Sequence, residues 1–269
     1  MKSSVNLIAV LALTTILGAC SSHKPVSHKV VPPVPKPQAQ VEPNRYALPP
    51  PPPGERTVAD VLQIYGTYAT NQLKPYFARA KVAYPPREMT FVALKQEKKL
   101  ELWARDNGDF QFIRHYDIQA ASGVSGPKLR QGDKQVPEGI YRIEGLNPNS
   151  QYHLSMKINY PNAFDLLHAR QEGRTNPGSD IFIHGRAASI GCLAMGDQAI
   201  EELFVLTAQV GADKVKVVIA PRDPRLYPLD VDPTHPEWTR ELYTQISREI
   251  NVLSPGMTSA KSVYELENR

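Results

Sequence analysis

The stretch "IFIHGRAASIGCLAMGD", Ile181 to Asp197, brings together the two side chain types best suited to proton transfer and nucleophilic attack. His184 ends a short apolar run, and Cys192 follows just after Gly191. A thiolate is the attacking form of cysteine, and an imidazole within reach can take the thiol's proton. A helix N-terminus favours the same ionised form. Asp197 to Gln209 reads as such a helix, with Asp197 as its N-cap, so Cys192 is expected in the turn just before it. Backbone N–H groups of Ile190, Gly191 and Cys192 are expected to face a developing oxyanion, and Gly191 lets a substrate approach the main chain. These residue types fit acyl transfer with Cys192 as nucleophile and His184 as base. They also fit a small buried thiol that happens to follow a histidine. Spacing alone leaves both readings open.

The chain has two cysteines. The other, Cys20, closes "LGAC" after an apolar run, Val5 to Leu17, that is too short for an ordinary membrane span. Small residues followed directly by cysteine match a bacterial lipoprotein signal. Cleavage would leave Cys20 as an acylated anchor in a membrane. Ser21, rather than Asp, favours the outer membrane of a Gram-negative cell, facing the periplasm. If Cys20 carries lipid, Cys192 has no intrachain partner, and a lone thiol in an oxidising compartment calls for a reason. Lys24 to Gly54 then holds 11 of the 25 prolines. Such a stretch stays extended and reads as a tether.

The net charge of +4 is mild, with no basic stripe or RNA-binding motif, so no nucleic-acid partner is expected. There is no glycine-rich phosphate loop. The other histidines fall at no metal-ligand spacing, and a second available cysteine is lacking, so neither metal nor cofactor is expected.

The elements that must position the pair follow from periodicity. Val58 to Arg79 has helical spacing, and Pro75 is expected to end or kink it. Met89–Leu94, Lys99–Ala104 and Phe110–Asp117 read as three strands joined by the turn-formers "QEKK" and "DNGD". A long Gly-, Pro- and charge-rich loop leads to a strand at Ile140–Glu144, and Tyr152–Ile158 and Ile181–His184 read as further strands. Val215–Ala220 is a buried strand, and Pro236–Val252 an amphipathic helix. The core is therefore expected to be mostly antiparallel β with helices attached.

Four stretches together resemble a known family. They are "SGPKLRQGDKQVPEGIYRI" (Ser125–Ile143), "INYPNAFD" (Ile158–Asp165), "IHGRAASIGCLAMGDQAIEELF" (Ile183–Phe204), and within the last the short S-x-G-C signature. Over roughly Met89 to Pro221 the chain is similar to L,D-transpeptidase catalytic domains of the YkuD family, in its YafK-like branch. The resemblance implies a mainly β fold, a mixed sandwich or barrel-like L,D-transpeptidase fold, with flanking N- and C-terminal helices. With the readings of the N-terminus above, the expected division is a signal peptide at 1–19, a lipidated Cys and Pro-rich tether at 20–54, a helical segment at 55–87, an L,D-transpeptidase-like catalytic domain at 88–222 and a helical extension at 223–269. By residue the resemblance implies Cys192 as nucleophile, His184 as base, the Gly185 carbonyl as the third partner, and Ser189 before the glycine–cysteine pair. Gly191 and Cys192 would supply the oxyanion hole. The implied partners are peptidoglycan stem peptides, and, by analogy with the branch, a peptidoglycan-linked lipoprotein. Arg130, with Lys128 and Lys134, is expected to meet stem-peptide carboxylates, and Tyr160, Asn162 and Phe164 to line the cleft. Two positions depart from most of the family. Ile190 replaces a histidine and Ala194 replaces an arginine, which puts ordinary cross-linking in doubt. Transfer to an amine, hydrolysis that releases a protein or peptide, and a non-catalytic peptidoglycan-binding lipoprotein are the competing functions.

Overall fold

The computed structural model describes residues 54–254. The expected signal peptide, Cys20, nearly all of the expected tether and the end of the expected C-terminal extension lie outside them. Four α-helices and nine strands follow in the order α1 (Val58–Ala80), β1 (Glu88–Leu94), β2 (Lys99–Arg105), β3 (Gln111–Asp117), β4 (Ala120–Ala121), β5 (Gly139–Asn147), β6 (Ser155–Ile158), α2 (Ala163–Gln171), β7 (Phe182–His184), β8 (Leu193–Ala194), α3 (Asp197–Val210), β9 (Val215–Ala220) and α4 (Thr239–Leu253). The strands form one sheet in the order β3-β2-β1-β9-β5-β6-β7-β8-β4. Pairings are antiparallel except β1–β9 and β7–β8.

The central strands β1 and β9 are mostly apolar because both faces of the sheet are covered. Side chains alternate across a strand. Phe91 and Ala93 of β1, with Val215, Val217 and Ile219 of β9, join the core that includes α1 and α3. Val92, Leu94, Val218 and Ala220 point the other way, into a second core closed by Leu242, Tyr243, Ile246 and Ile250 of α4.

Helix α1 begins at a capping box. Thr57 accepts from the Asp60 N–H, and the Asp60 carboxylate accepts from Thr57 N–H. Pro75 does not end the helix, which runs on to Ala80. Leu73 and Phe77 on either side of it are fully buried, and their packing holds the turn that Pro75 deprives of a hydrogen bond. Strand β6 begins only at Ser155, because residues 151–153 form the turn before it. Helix α3 starts at Asp197, but its N-cap is Gly196, whose φ of 81° suits glycine. Asp197 accepts from Arg186 N–H instead (2.8 Å), so the expected cap is corrected.

The chain ahead of α1 is fastened to the β5–β6 loop. Asn149 Oδ1 accepts from the N–H groups of Gly54 (2.9 Å) and Arg56 (3.0 Å), and its Nδ2 donates to Arg56 O (2.8 Å). Arg56 donates to His153 O (3.3 Å), and His153 Nε2 lies 2.8 Å from Glu201 of α3. On the sheet's other face a buried ion cluster joins Glu101 of β2 to Arg225 (2.6 Å), which also holds Asp223. Among the described residues no helix is long and apolar enough to cross a membrane.

Candidate active site

Strand β7 lies between β6 and β8, with His184 opposite Ser155 on one side and Ala194 on the other. Cys192 directly precedes β8, so the parallel β7–β8 pairing sets it beside the end of β7. Cys192 and His184 line one cavity of about 200 Å³. The β5–β6 loop supplies Ser150, Gln151 and Tyr152 to its wall, and Asn147, Ser155 and Phe182 complete it. No hydrogen bond joins Cys192 to His184 among the described residues, a spacing common in unliganded sites.

His184 is 2% exposed. Its Nδ1 lies 2.6 Å from Gly185 O. A carbonyl only accepts, so Nδ1 carries the proton and Nε2 is the basic nitrogen. The Tyr152 ring packs 4.5 Å from the imidazole, centre to centre. Burial lowers the His184 pKa, against a smaller upward pull from the Gly185 carbonyl. Gly185 has no room for a side chain, because a Cβ there would sit 2.7 Å from Tyr152 O and 2.8 Å from Asp197 Oδ1.

Burial raises the Cys192 pKa. The Phe182 backbone N–H and the charge of Lys128 oppose the rise, and Asp180 adds to it. The expected help from a helix N-terminus is absent. Strand β8 and Met195–Gly196 separate Cys192 from α3, and the dipole acts only within about a turn of the helix end. The resting pair is therefore a thiol beside a neutral imidazole. The ultraviolet absorbance of the thiolate, taken as the native chain minus Cys192→Ala, is expected to be missing at neutral pH and to appear only above the ordinary cysteine range. A signal at neutral pH would instead show a preformed thiolate–imidazolium pair.

The turn before Cys192 is closed by hydroxyls. Ser189 Oγ donates to Cys192 O (2.6 Å) and accepts from Cys192 N–H (3.2 Å). Gly191 N–H donates to Ser122 Oγ (2.6 Å). The two N–H groups expected to form an open oxyanion hole are thus both engaged in the resting structure. Gly191 has a φ of 103°, in the region that favours glycine.

Other expected site residues lie elsewhere. Tyr160 is 3% exposed and donates to Pro177 O (2.8 Å), so it belongs to the core. Asn162 caps α2 by accepting from the N–H groups of Phe164 and Asp165. Phe164 packs edge-on against Trp238 at 5.8 Å, beside the α4 core. None of the three lines the cavity of Cys192. Arg130 and Lys134 are exposed loop residues that do not line that cavity, although the Lys134 backbone runs beside Gly191, while Lys128 is paired with Asp133. Ile190 is 72% exposed, and Ala194 is fully buried against Ala120 and His184. Ser122 and Tyr152 were not legible as site residues, because only the tertiary fold brings them to residues 184–192. Among the described residues no three His, Cys, Asp or Glu side chains gather as a metal site.

Residues 88–219 match the family described as the L,D-transpeptidase catalytic domain, YkuD. Over 132 residues the chain is 39% identical to the protein named "Putative L,D-transpeptidase YafK" of Escherichia coli strain K12, covering 47% of this chain and 51% of that one. The chain thus spans about half the length of the curated relatives it matches. Among solved structures it is similar to the helical cell shape determining protein Pgp2 from Campylobacter jejuni, at 20% identity and a TM-score of 0.43, covering 60% of each chain. It is also similar to L,D-transpeptidase 1 of Mycobacterium tuberculosis, at 9% identity and a TM-score of 0.30, covering 49% of this chain and 62% of that one. On the family match and the 39% identity, residues 88–219 of this chain belong to the YkuD family of L,D-transpeptidase catalytic domains.

Proposed function

We propose that the chain is a cysteine acyltransferase acting on peptidoglycan stem peptides. The observation that carries this reading is the Nδ1–Gly185 O contact, which leaves His184 Nε2 as a base in the cavity it shares with Cys192. Nε2 takes the proton of Cys192 Sγ as sulfur bonds to a stem-peptide carbonyl carbon. The amide C–N bond then breaks, and the leaving amine takes the proton from Nε2. The resulting thioester passes its acyl group to an amine or to water, whose proton returns through Nε2 to the sulfur.

One observation favours water as the acceptor. Ala194 is fully buried where most of the family has arginine, and none of the cavity-lining side chains is a lysine or arginine. An amine acceptor from a stem peptide carries a carboxylate beside the amine; no lysine or arginine lining this cavity meets that carboxylate, and Lys128, whose charge reaches Cys192, is already paired with Asp133. In this second reading the enzyme is a hydrolase that releases a peptide or a linked protein from peptidoglycan. The proposal extends to a periplasmic chain anchored by lipid at Cys20, supported by the order of residues in "LGAC".

Incubating the purified chain with peptidoglycan and separating the muropeptides tests the reading. New stem-to-stem crosslinks mark an amine acceptor, and loss of peptide-linked protein marks water. Cys192→Ala is expected to abolish whichever change occurs. If the native chain leaves the profile unchanged, or Cys192→Ala changes it equally, the enzyme reading fails and a binding module remains.

A further inference from the structure

The peptide unit between Gly185 and Arg186 is held at both ends. Its carbonyl, Gly185 O, accepts from His184 Nδ1 (2.6 Å). Its N–H, that of Arg186, donates to Asp197 Oδ1 (2.8 Å), eleven residues downstream at the start of α3. The peptide is trans, so it is planar and its C=O and N–H point in opposite directions. Whatever fixes the N–H therefore fixes the carbonyl, and with it the partner of the imidazole.

The hold at Asp197 opposes a strained backbone. Arg186 has a φ of 57°, in the left-handed region that favours glycine. Turning the Gly185–Arg186 peptide over would carry Arg186 to a φ of about −120°, which any residue adopts. Gly185, with no Cβ, offers little resistance to that turn. The adjoining bonds do not prevent it either. Gly185 N–H donates to Leu154 O (3.1 Å) and Arg186 O accepts from Gly196 N–H (2.9 Å), but these groups belong to the peptide units on either side. The turn would swing the carbonyl off His184 Nδ1 and toward the Asp197 carboxylate, where two acceptors face each other.

We propose that Asp197 is the positioning residue of the base, holding the Gly185–Arg186 peptide so that its carbonyl stays on His184 Nδ1 and Nε2 stays the basic nitrogen. This rests on the reading of His184 as the base that serves Cys192. Asp197 does not line the cavity of Cys192 and acts through the peptide. Cys192 and Tyr152 are the other titratable groups in that cavity, and Arg114, His115, Asp117 and Glu202 line a second cavity together with Asp197. Burial and the Gly185 carbonyl are what move the His184 pKa, so the ring responds to the carbonyl rather than to the charge of Asp197.

Carbapenem acylation followed across pH tests this in the full-length chain. The S–C bond forms, the lactam C–N bond breaks, and the thiol proton passes through Nε2 to the lactam nitrogen. Asp197→Ala is expected to slow the reaction about tenfold to a hundredfold. Its acid limb is expected to move to lower pH, because the carbonyl that raises the His184 pKa has turned away. Asp197→Asn, which keeps an acceptor oxygen for Arg186 N–H, is expected to restore most of the rate. In a His184→Ala background, Asp197→Ala is expected to change the rate by less than about twofold. Iodoacetamide alkylation above the thiol's pKa needs no base, and is expected to stay within about twofold of native in Asp197→Ala. The proposal is overturned by Asp197→Asn as slow as Asp197→Ala, by an unmoved acid limb, or by a further loss in the His184→Ala background. Alkylation that falls together with acylation would mean a collapsed site and overturns it too. If the native chain forms no carbapenem adduct, or forms one equally with Cys192→Ser, the reading of Cys192 fails and the proposal falls with it.

Discussion

His184→Ala is expected to slow acylation of Cys192 by about 10²–10⁴-fold, the usual contribution of a positioned general base. The reason lies in the resting protonation state. Burial holds the Cys192 thiol above its ordinary pKa and the His184 imidazole below its own. The thiol must therefore lose its proton during the attack, and His184 Nε2 is the group set to receive it. Below the lowered His184 pKa the ring is protonated and no longer a base, so the native rate falls on the acid side; that limb should vanish in the alanine variant. Removing the ring also enlarges the cavity beside Tyr152, so added imidazole should recover part of the rate. Stopped-flow acylation by a carbapenem across pH, with and without imidazole, measures all three effects. A loss of less than about tenfold would assign the proton to another group.

Arg225→Ala is expected to destabilise the fold by about 3–5 kcal/mol. The guanidinium lies between Glu101 of β2 and Asp223, at 2.6 Å and 2.8 Å. Glu101 is fully buried and Asp223 is 3% exposed. Burial pushes the Glu101 carboxyl up in pKa, with Arg225 as the main opposing influence. Without Arg225, two carboxylates stay in the interior with only Trp103 Nε1 (2.8 Å) donating to Glu101 from a side chain. Their desolvation then goes uncompensated. Arg225→Lys should recover only part of the loss, because an ammonium cannot reproduce the fork that reaches both carboxylates. Urea denaturation followed by circular dichroism gives the midpoint shift. A loss under about 1 kcal/mol would mean that water or a rearranged neighbour replaces the guanidinium.

What the sequence reveals depends on how far each element relies on its neighbours. Helix α1 and strands β1 to β3 carry their own periodicity and turn residues, and they stand within a residue or two of where the pattern puts them. Strands β4 and β8 are two residues each and exist only through long-range pairing, β4 with β8 and β8 with β7 as well, so no local pattern marks them. Helix α2 has no apolar stripe and buries only His168 and Ala169; its signal is the Asn162–Asp165 capping box, which the run "YPNAFD" contains but periodicity overlooks. The same is true of the site. Cys192 and His184 stand out by type and nearness. The missing helix terminus next to Cys192 depends on β8, and the roles of Ser122 and Tyr152 depend on long-range pairing. Tyr160 and Phe164 are aromatic residues in a polar stretch, and only the packing decides between cleft and core.

The fastening at Asn149 has a mechanical consequence. Gly54 and Arg56 are bonded to the β5–β6 loop before the chain enters α1. A pull applied to the chain ahead of residue 54 therefore loads that loop first, and through Arg56 and His153 it reaches Glu201 on α3. The loop is also the wall that sets Tyr152 against the His184 ring. The point where strain enters the domain and the wall of its cavity are the same few residues.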